Sequence, residues 1–335
     1  MNQDVVEIIS GRANADIDPH LHIWGWEISA YLFVGGLVAG VMVLLAALEL
    51  ARKAAPDDAT APPAPRSAAT QLMPFWALGL LSLGMLFLFL DLAHPGHVYR
   101  FYTAFEPTSA MSWGAWILLL VYPTVALLGL SGLDAERRAR LVAWAPVARL
   151  RLARLVGWLT RLGDRHRAKL VWAMLAIGVG LGTYTGLLLG TMAARPPWSS
   201  AVLGPLFLTS GVSTGAALLM LARPASAEIH RLVRWDTLAI VVELVLLTVM
   251  LLGFQSAGTP GKAAAATLLG GAYTAPFFAL VVVTGLLVPL ALNLLEVRRG
   301  LPGTVFAPAL ILVGGLALRA ILVAAGQSID FPAGI

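Results

Sequence analysis

The stretch Ile28-Ser29-Ala30-Tyr31-Leu32-Phe33-Val34-Gly35-Gly36-Leu37-Val38-Ala39-Gly40-Val41-Met42-Val43-Leu44-Leu45 contains no charged residue, and Glu49 is the first one after it. A helix needs about 20 apolar residues to cross the hydrocarbon core of a bilayer. The segment 27–50 meets that length and reads as a membrane span. Gly35, Gly36 and Gly40 are small enough to let neighbouring helices approach closely.

Outward from this segment the same pattern recurs at 72–92, 112–132, 170–192, 199–221, 237–255, 270–293 and 304–326, for a total of eight spans. Pro74, Pro95, Pro196 and Pro197 mark span ends, while Pro205 and Glu243 interrupt the fifth and sixth spans. Only 12% of the 335 residues are charged, 59% are hydrophobic and the mean hydropathy is +0.82. Soluble domains carry about one quarter charged residues, so lipid rather than water must cover most of this surface. The predicted fold class is therefore all-α integral membrane.

The chain has no cysteine, which rules out disulfides, cysteine-ligated iron–sulfur clusters and cysteine zinc sites within it. A pI near 9.9 would suit a nucleic-acid partner. The basic residues instead gather between the apolar segments, so no such partner is expected. Residues 1–20 are polar and acidic and lack a basic stretch leading into an apolar one, so no cleaved leader is expected.

Eighteen of the 23 Lys and Arg residues fall in the loops after spans 1, 3, 5 and 7, with ten of them between Arg137 and Lys169. The other side holds Arg12, Arg100, Arg195 and Lys262, and Arg319 lies inside span 8. Cytoplasmic loops carry the positive excess, so both termini are expected to face outward, to the periplasm of a Gram-negative cell, with the protein in the inner membrane. The 133–169 loop alternates Arg with Leu150, Leu152, Leu155 and Trp158. This suits an amphipathic helix lying on anionic lipid, with docking of a cytoplasmic partner as the other reading. The Ala/Pro-rich stretch 54–69 reads as a flexible linker.

A transmembrane cytochrome b holds haem between histidines on facing helices. The histidines here are His20, His22, His94, His97, His166 and His230, and none is mid-span, so no haem is expected. On the outward side the chain reads Asp16-Ile17-Asp18-Pro19-His20-Leu21-His22-Ile23-Trp24-Gly25-Trp26-Glu27 into span 1. Span 2 ends in Asp91-Leu92-Ala93-His94-Pro95-Gly96-His97, followed by Arg100 and Tyr102, and span 4 carries Tyr184 toward its outer half. Carboxylates, imidazoles, a phenol and indoles thus meet at one depth. A quinone needs this mixture of apolar or aromatic walls, donors for its carbonyls and titratable groups for its protons. Trp and Tyr also favour the interface without any site, and Trp24, Trp26, Trp113 and Trp116 fit such a belt.

Inside the membrane Glu243 and Arg319 stand out, because a charge at that depth costs roughly 2.5–3.5 kcal/mol on insertion scales. With Glu49, Asn293 and Glu296 at inner span ends they suggest a polar route from the cytoplasm; a structural Glu–Arg pair is the alternative.

At these residues the sequence resembles the NrfD/PsrC family, the membrane subunits of polysulfide-reductase-like complexes. The resemblance is carried by Trp24-Gly25-Trp26-Glu27-Ile28 into the first span, by Leu90-Asp91-Leu92 with the following His94-Pro95, and by Tyr184-Thr185-Gly186. Its most specific stretch is Arg100-Phe101-Tyr102 through Pro107-Thr108-Ser109-Ala110-Met111-Ser112-Trp113-Gly114-Ala115-Trp116.

The resemblance implies a haem-free quinone or quinol module of two four-helix bundles. On this chain they would be 27–192 and 193–326, with an outer N-terminal segment 1–26 and tail 327–335. It implies a ferredoxin-like iron–sulfur subunit docked on the outer face, with a molybdopterin enzyme or a multihaem cytochrome beyond it. The quinone, menaquinone or ubiquinone, would sit in the first bundle against a His at the start of span 1 and a Tyr on span 4. Those positions correspond to His22, with His20 as competitor, and Tyr184. Asp18 or Asp16 would occupy the small polar position that the family places before the His. Asp91 or Glu27 would handle a proton, Trp26 would flank the ring, and His94, His97, Arg100 and Tyr102 would meet the partner. A structural membrane anchor without quinone chemistry and a secondary transporter are the rival readings, although no inverted repeat is evident.

Overall fold

The computed structural model describes residues 24–54, 66–92, 94–192, 195–299 and 304–328. No strand occurs among them. Eight helices are long and apolar enough to cross a membrane. They are α1 Trp26–Ala54, α2 Ala68–Leu90, α3 Ala110–Gly132, α4 Arg167–Gly190, α5 Leu203–Leu221, α6 Ser226–Ser256, α7 Thr274–Arg299 and α8 Phe306–Gln327. In lipid every backbone polar group must find its partner within the segment, and the helix achieves this.

α1 is the centre of the molecule. Its most apolar window is 83% buried, against 28% for α2 and for α7, whose other faces remain for lipid. α1 packs on α2, α4, α5 and α8, and its contact with α5 is the most extensive between any two helices. Glycines make that contact. A Cβ on Gly40 would strike the carbonyl of Gly211, and one on Gly215 would lie 2.6 Å from the Gly40 carbonyl carbon. With Gly36 and Gly211 these form a four-residue repeat on each helix, the spacing that brings membrane helices into backbone contact. α4 joins them through Gly182 and Gly186, packed on Leu208 and Leu203 of α5. Elsewhere α2 packs on α3, α3 on α4, α5 on α6 and α8, and α7 on α8.

Polar clamps close both ends. At one end Glu49 accepts from Arg66 Nη2 at 2.7 Å and Nε at 3.0 Å, and from Arg167 Nε at 3.0 Å, joining α1 to α4 and to the start of α2. Glu228 of α6 accepts from the hydroxyls of Ser67 (2.6 Å) and Thr70 (2.7 Å) nearby. At the other end the Gln327 amide pairs with the backbone of Trp24, accepting from its N–H at 2.8 Å and donating to its carbonyl at 3.0 Å. Trp24 stacks on Trp198 at 5.1 Å, and Trp198 Nε1 donates to the Leu322 carbonyl at 2.8 Å. The start of α1 and the end of α8 thus share one face, termed outer.

Several details differ from the sequence reading, among them α2, which starts at Ala68 within the stretch read as a linker and holds Pro74 in its interior rather than at a span end. α6 starts at Ser226 rather than near 237, because Glu228 and Asp236 are satisfied by neighbouring helices and need no aqueous loop. The loop between α6 and α7 contains a helix, Gly258–Leu268, whose Ala264 and Leu268 enter the core. The 133–169 loop forms three helices, Ala135–Ala143, Ala145–Arg149 and Ala153–Arg165. The last packs on α3 through Thr160 and Gly163 and leaves Leu155, Trp158 and its arginines exposed. α7 itself is wound as a π-helix from Phe277 to Leu287, where Gly285 meets Gly314 of α8.

Candidate functional site

Between α1, α2, α3 and α4, near the outer face, lies a cleft of about 80 Å³. Tyr31 of α1, Tyr184 of α4 and Tyr102 of the short helix Arg100–Thr103 contribute phenols to it. The walls are apolar and include Met85, Leu88, Phe89, Phe101, Met111 and Leu188. Tyr31 and Tyr184 are buried, at 3% and 7% exposure. Tyr122 bonds Ser82 at 3.2 Å, but among the described residues the hydroxyls of Tyr31, Tyr102 and Tyr184 have no hydrogen-bond partner. None of the three hydroxyls is sealed from its surroundings, and Tyr102 is only half-buried, so a molecule in the cleft can reach them.

Local sequence explains the geometry. Tyr184 rests on Gly114, where any side chain would collide with its ring. The loop leading into α3 is tied by its own polar residues. The Glu106 N–H donates to Ser112 Oγ at 3.0 Å, Trp113 Nε1 donates to the Pro107 carbonyl at 2.8 Å, and Thr108 Oγ1 donates to Glu106 at 2.8 Å. Much of the Pro107–Trp116 string therefore shapes the turn that brings Gly114 under Tyr184.

Leu92, Phe101 and Met111 are shared with a wider outer depression of about 400 Å³, lined also by His94, His97, Arg100, Glu106 and Ser112. His94 and His97 are exposed, with their rings 6.0 Å apart and edge to face. Asp91 caps the end of α2 beside Leu92. Its burial and then the nearby Glu27 carboxylate hold its carboxyl above the usual aspartate range. Burial and then the Tyr122 phenol raise Tyr102 likewise. Trp26 does not line the cleft; it is 64% exposed and meets the edge of Phe87. Asp16, Asp18, His20 and His22 lie outside the described residues.

The intramembrane charges form a second group. Arg319 is fully buried and donates to Ser210 Oγ at 2.7 Å, the Gly315 carbonyl at 3.0 Å and the Phe207 carbonyl at 3.1 Å. No ion pair joins it directly to Glu243; Ser210 stands between them. Asn293 donates to Asp236 at 2.7 Å, and Glu296 accepts from the N–H and hydroxyl of Thr304, both at 2.8 Å. Glu49, grouped with these in the sequence reading, accepts from Arg66 and Arg167 in the clamp. It stands 13 residues from the Gly36 level of Arg319 along α1, about 20 Å at 1.5 Å per residue.

Tyr31 and Asp236 escaped the sequence reading as site residues. Tyr31 lies one helical turn after Glu27, and Asp236 lies seven residues before Glu243 on one face of α6, which are the spacings that signal them.

Eight apolar helices around a buried, glycine-packed centre define a multi-pass integral membrane protein, with an apolar phenol-lined cleft near one face. The chain belongs to the NrfD family: the family model described as polysulphide reductase, NrfD, matches residues 16–331. It is 32% identical to the protein NrfD of Escherichia coli over 316 residues, covering 91% of this chain and 95% of that one. It is 28% identical to the C component of polysulfide reductase from Wolinella succinogenes, with the same coverage of both proteins. An NrfD homolog of Haemophilus influenzae is 24% identical over 91% of this chain and 94% of its own.

Proposed function

We infer that this chain is the inner-membrane subunit of a respiratory oxidoreductase complex. It exchanges electrons between the quinone pool and an iron–sulfur subunit docked on its outer face. The reading is supported by kinship with a component of polysulfide reductase. The observation that carries it is the cleft of three unpartnered phenols and apolar walls, which adjoins an exposed polar depression. A quinone head group is planar, mostly apolar and carries carbonyl oxygens, so the cleft fits it in wall and in donor chemistry.

Bound there, a quinone supplies two-electron, two-proton redox capacity. The Tyr31 and Tyr184 hydroxyls donate hydrogen bonds to its carbonyl oxygens and orient the ring. His22, or His20, is the histidine that the family resemblance assigns to the quinone, and both precede Trp24, which Gln327 anchors. The Asp91 carboxyl, with Glu27, holds a proton at the outer end of the cleft. His94, His97 and Arg100 receive the partner within the wider depression, with a molybdopterin or multihaem subunit beyond. Both termini face the periplasm, and spans 1–4 and 5–8 form the two bundles.

The test is to purify the tagged protein from native membranes in mild detergent, identify its companions by mass spectrometry and assay quinol-linked electron transfer. A Cys-rich ferredoxin-like companion and turnover that falls in Tyr184→Phe support the reading. A complex that assembles and turns over unchanged in both Tyr31→Phe and Tyr184→Phe would make the chain an anchor.

A further inference from the structure

The second half of the membrane region holds a buried charge inventory that the tyrosine cleft does not use. Asp236 and Glu243 of α6 and Arg319 of α8 are all sealed from solvent. The two acids are seven residues apart on one face of α6, about 10 Å along its axis. Asp236 accepts from Ser213 Oγ at 2.6 Å and from Asn293 Nδ2 at 2.7 Å. Glu243 faces Ser210, Ser213 and Thr214 of α5 across a narrow seam walled by Gly285 of α7 and Gly314 of α8. Ser213 therefore touches both acids' surroundings. Ser210 links Glu243 to Arg319, whose Nε, although buried, has no acceptor among the described residues. Toward the inner end of α7, one turn beyond Asn293, stands Glu296, held by Thr304.

Charge counting then decides the protonation. Arginine does not deprotonate in proteins. An ionised carboxylate without a countercharge in an apolar interior takes up a proton instead. Arg319 is the only buried Lys or Arg among the described residues. Glu243 is its acidic neighbour through Ser210, and Asp236 lies further along the same face of α6, joined to the Glu243 surroundings through Ser213. The buried Glu228 and Glu296 are instead held by Ser67, Thr70 and Thr304. The set is neutral when one acid is ionised and the other carries a proton. We propose that Asp236 and Glu243 share one exchangeable proton, loaded from the inner face past Glu296 and Asn293 and passed along Ser213. This is a proton-binding site at mid-membrane, separate from the cleft.

The site lies within electrostatic reach of the cleft. A Cβ on Gly36 would stand 2.9 Å from Arg319 Nη2, and Tyr31 is five residues before Gly36 on α1, about 7 Å along the axis. At that separation in an apolar medium, charge at one site biases protonation at the other.

Infrared absorption of the full chain reconstituted in lipid vesicles tests the proposal without turnover. At neutral pH the spectrum is expected to contain a neutral-carboxyl band equivalent to one group, which shifts in heavy water. Asp236→Asn and Glu243→Gln each leave a single acid against Arg319, so the band disappears in both. Arg319→Met leaves no cation, and the band doubles. Asn293→Leu keeps the band and slows its exchange into heavy water several-fold. Absence of the band in the unaltered chain, or its persistence at full height in both carboxyl variants, overturns the shared proton. Unchanged exchange in Asn293→Leu overturns the inner route. The unaltered chain decides the first point even where a variant fails to fold. Quinone binding to the same vesicles is read separately, so failure at the cleft and failure at Asp236 and Glu243 are distinguishable.

Discussion

The Tyr184 phenol lies directly on the backbone of Gly114, so close that a methyl group there would overlap the ring carbon bearing the hydroxyl. α3 thereby sets the depth at which Tyr184 enters the cleft. Gly114→Ala is expected to displace the phenol and lower quinol-linked turnover about 100-fold, as a misplacement of about 1 Å can do. The yield of assembled complex, measured beside turnover, should be nearly unchanged. Turnover within twofold of the unaltered protein would remove Tyr184 from the reaction.

Tyr31→Phe and Tyr184→Phe each delete one hydroxyl and keep the ring. A positioned proton donor contributes about 10²–10⁴-fold. Each variant is expected to lose at least the lower value in turnover, while thermal stability changes little because neither hydroxyl has a partner among the described residues. Steady-state kinetics with a soluble quinol, paired with a thermal melt, check both halves.

Asp91 supplies a pH signature. Burial and the Glu27 carboxylate favour its protonated form, so ionisation waits until the pH rises through a value above the usual aspartate range. If the ionised carboxylate accepts the quinol proton, turnover falls on the acid side of that raised value. Asp91→Asn should lower turnover and abolish this limb, and Glu27→Gln should move it to lower pH by removing the like charge. For stability the direction is opposite: the folded state favours the proton, so this contribution fades as pH rises. An acid limb that ignores both substitutions would assign it to another group.

Gly40→Ala drives a methyl into the Gly211 carbonyl at the α1–α5 crossing. Overpacking of this kind costs about 1–3 kcal/mol. A lower thermal midpoint and lower yield are expected. Gly79→Ala on α2 is the control, because nothing lies within 4 Å of the added methyl. Equal behaviour of the two variants would contradict backbone contact at the crossing.

Glu49 separates a clamp from a proton route. Its carboxylate holds Arg66 and Arg167, and hydrogen bonds to charged groups contribute about 1.5–3 kcal/mol. Glu49→Gln is expected to lower the thermal midpoint while leaving turnover per assembled complex unchanged. Turnover that drops with stability intact would return Glu49 to the proton pathway.

Much of the architecture was legible because its cause is local. An unbroken apolar run must cross the bilayer as a helix whatever its neighbours are, so the eight spans could be read along the sequence. Tyr184 was legible through the family resemblance, and His94, His97 and Arg100 through their position after a span. Tyr31 passed as part of an apolar run, because nothing along the sequence shows which face of α1 meets α2 and α4 rather than α5. Asp236 passed as the edge of a loop, because its partners Ser213 and Asn293 are 23 and 57 residues away.

The sequence by itself determined that this protein lives in lipid, how many times it crosses and which family it resembles. These follow from transfer free energies that act residue by residue. Only the tertiary structure decided that three phenols share one cleft, that Glu49 is held in a clamp, and that Glu243 meets Arg319 through Ser210 while Asp236 is held by Ser213 and Asn293. Those relations depend on how glycines let α1, α4 and α5 approach, and a contact between distant segments exists only once the helices have packed.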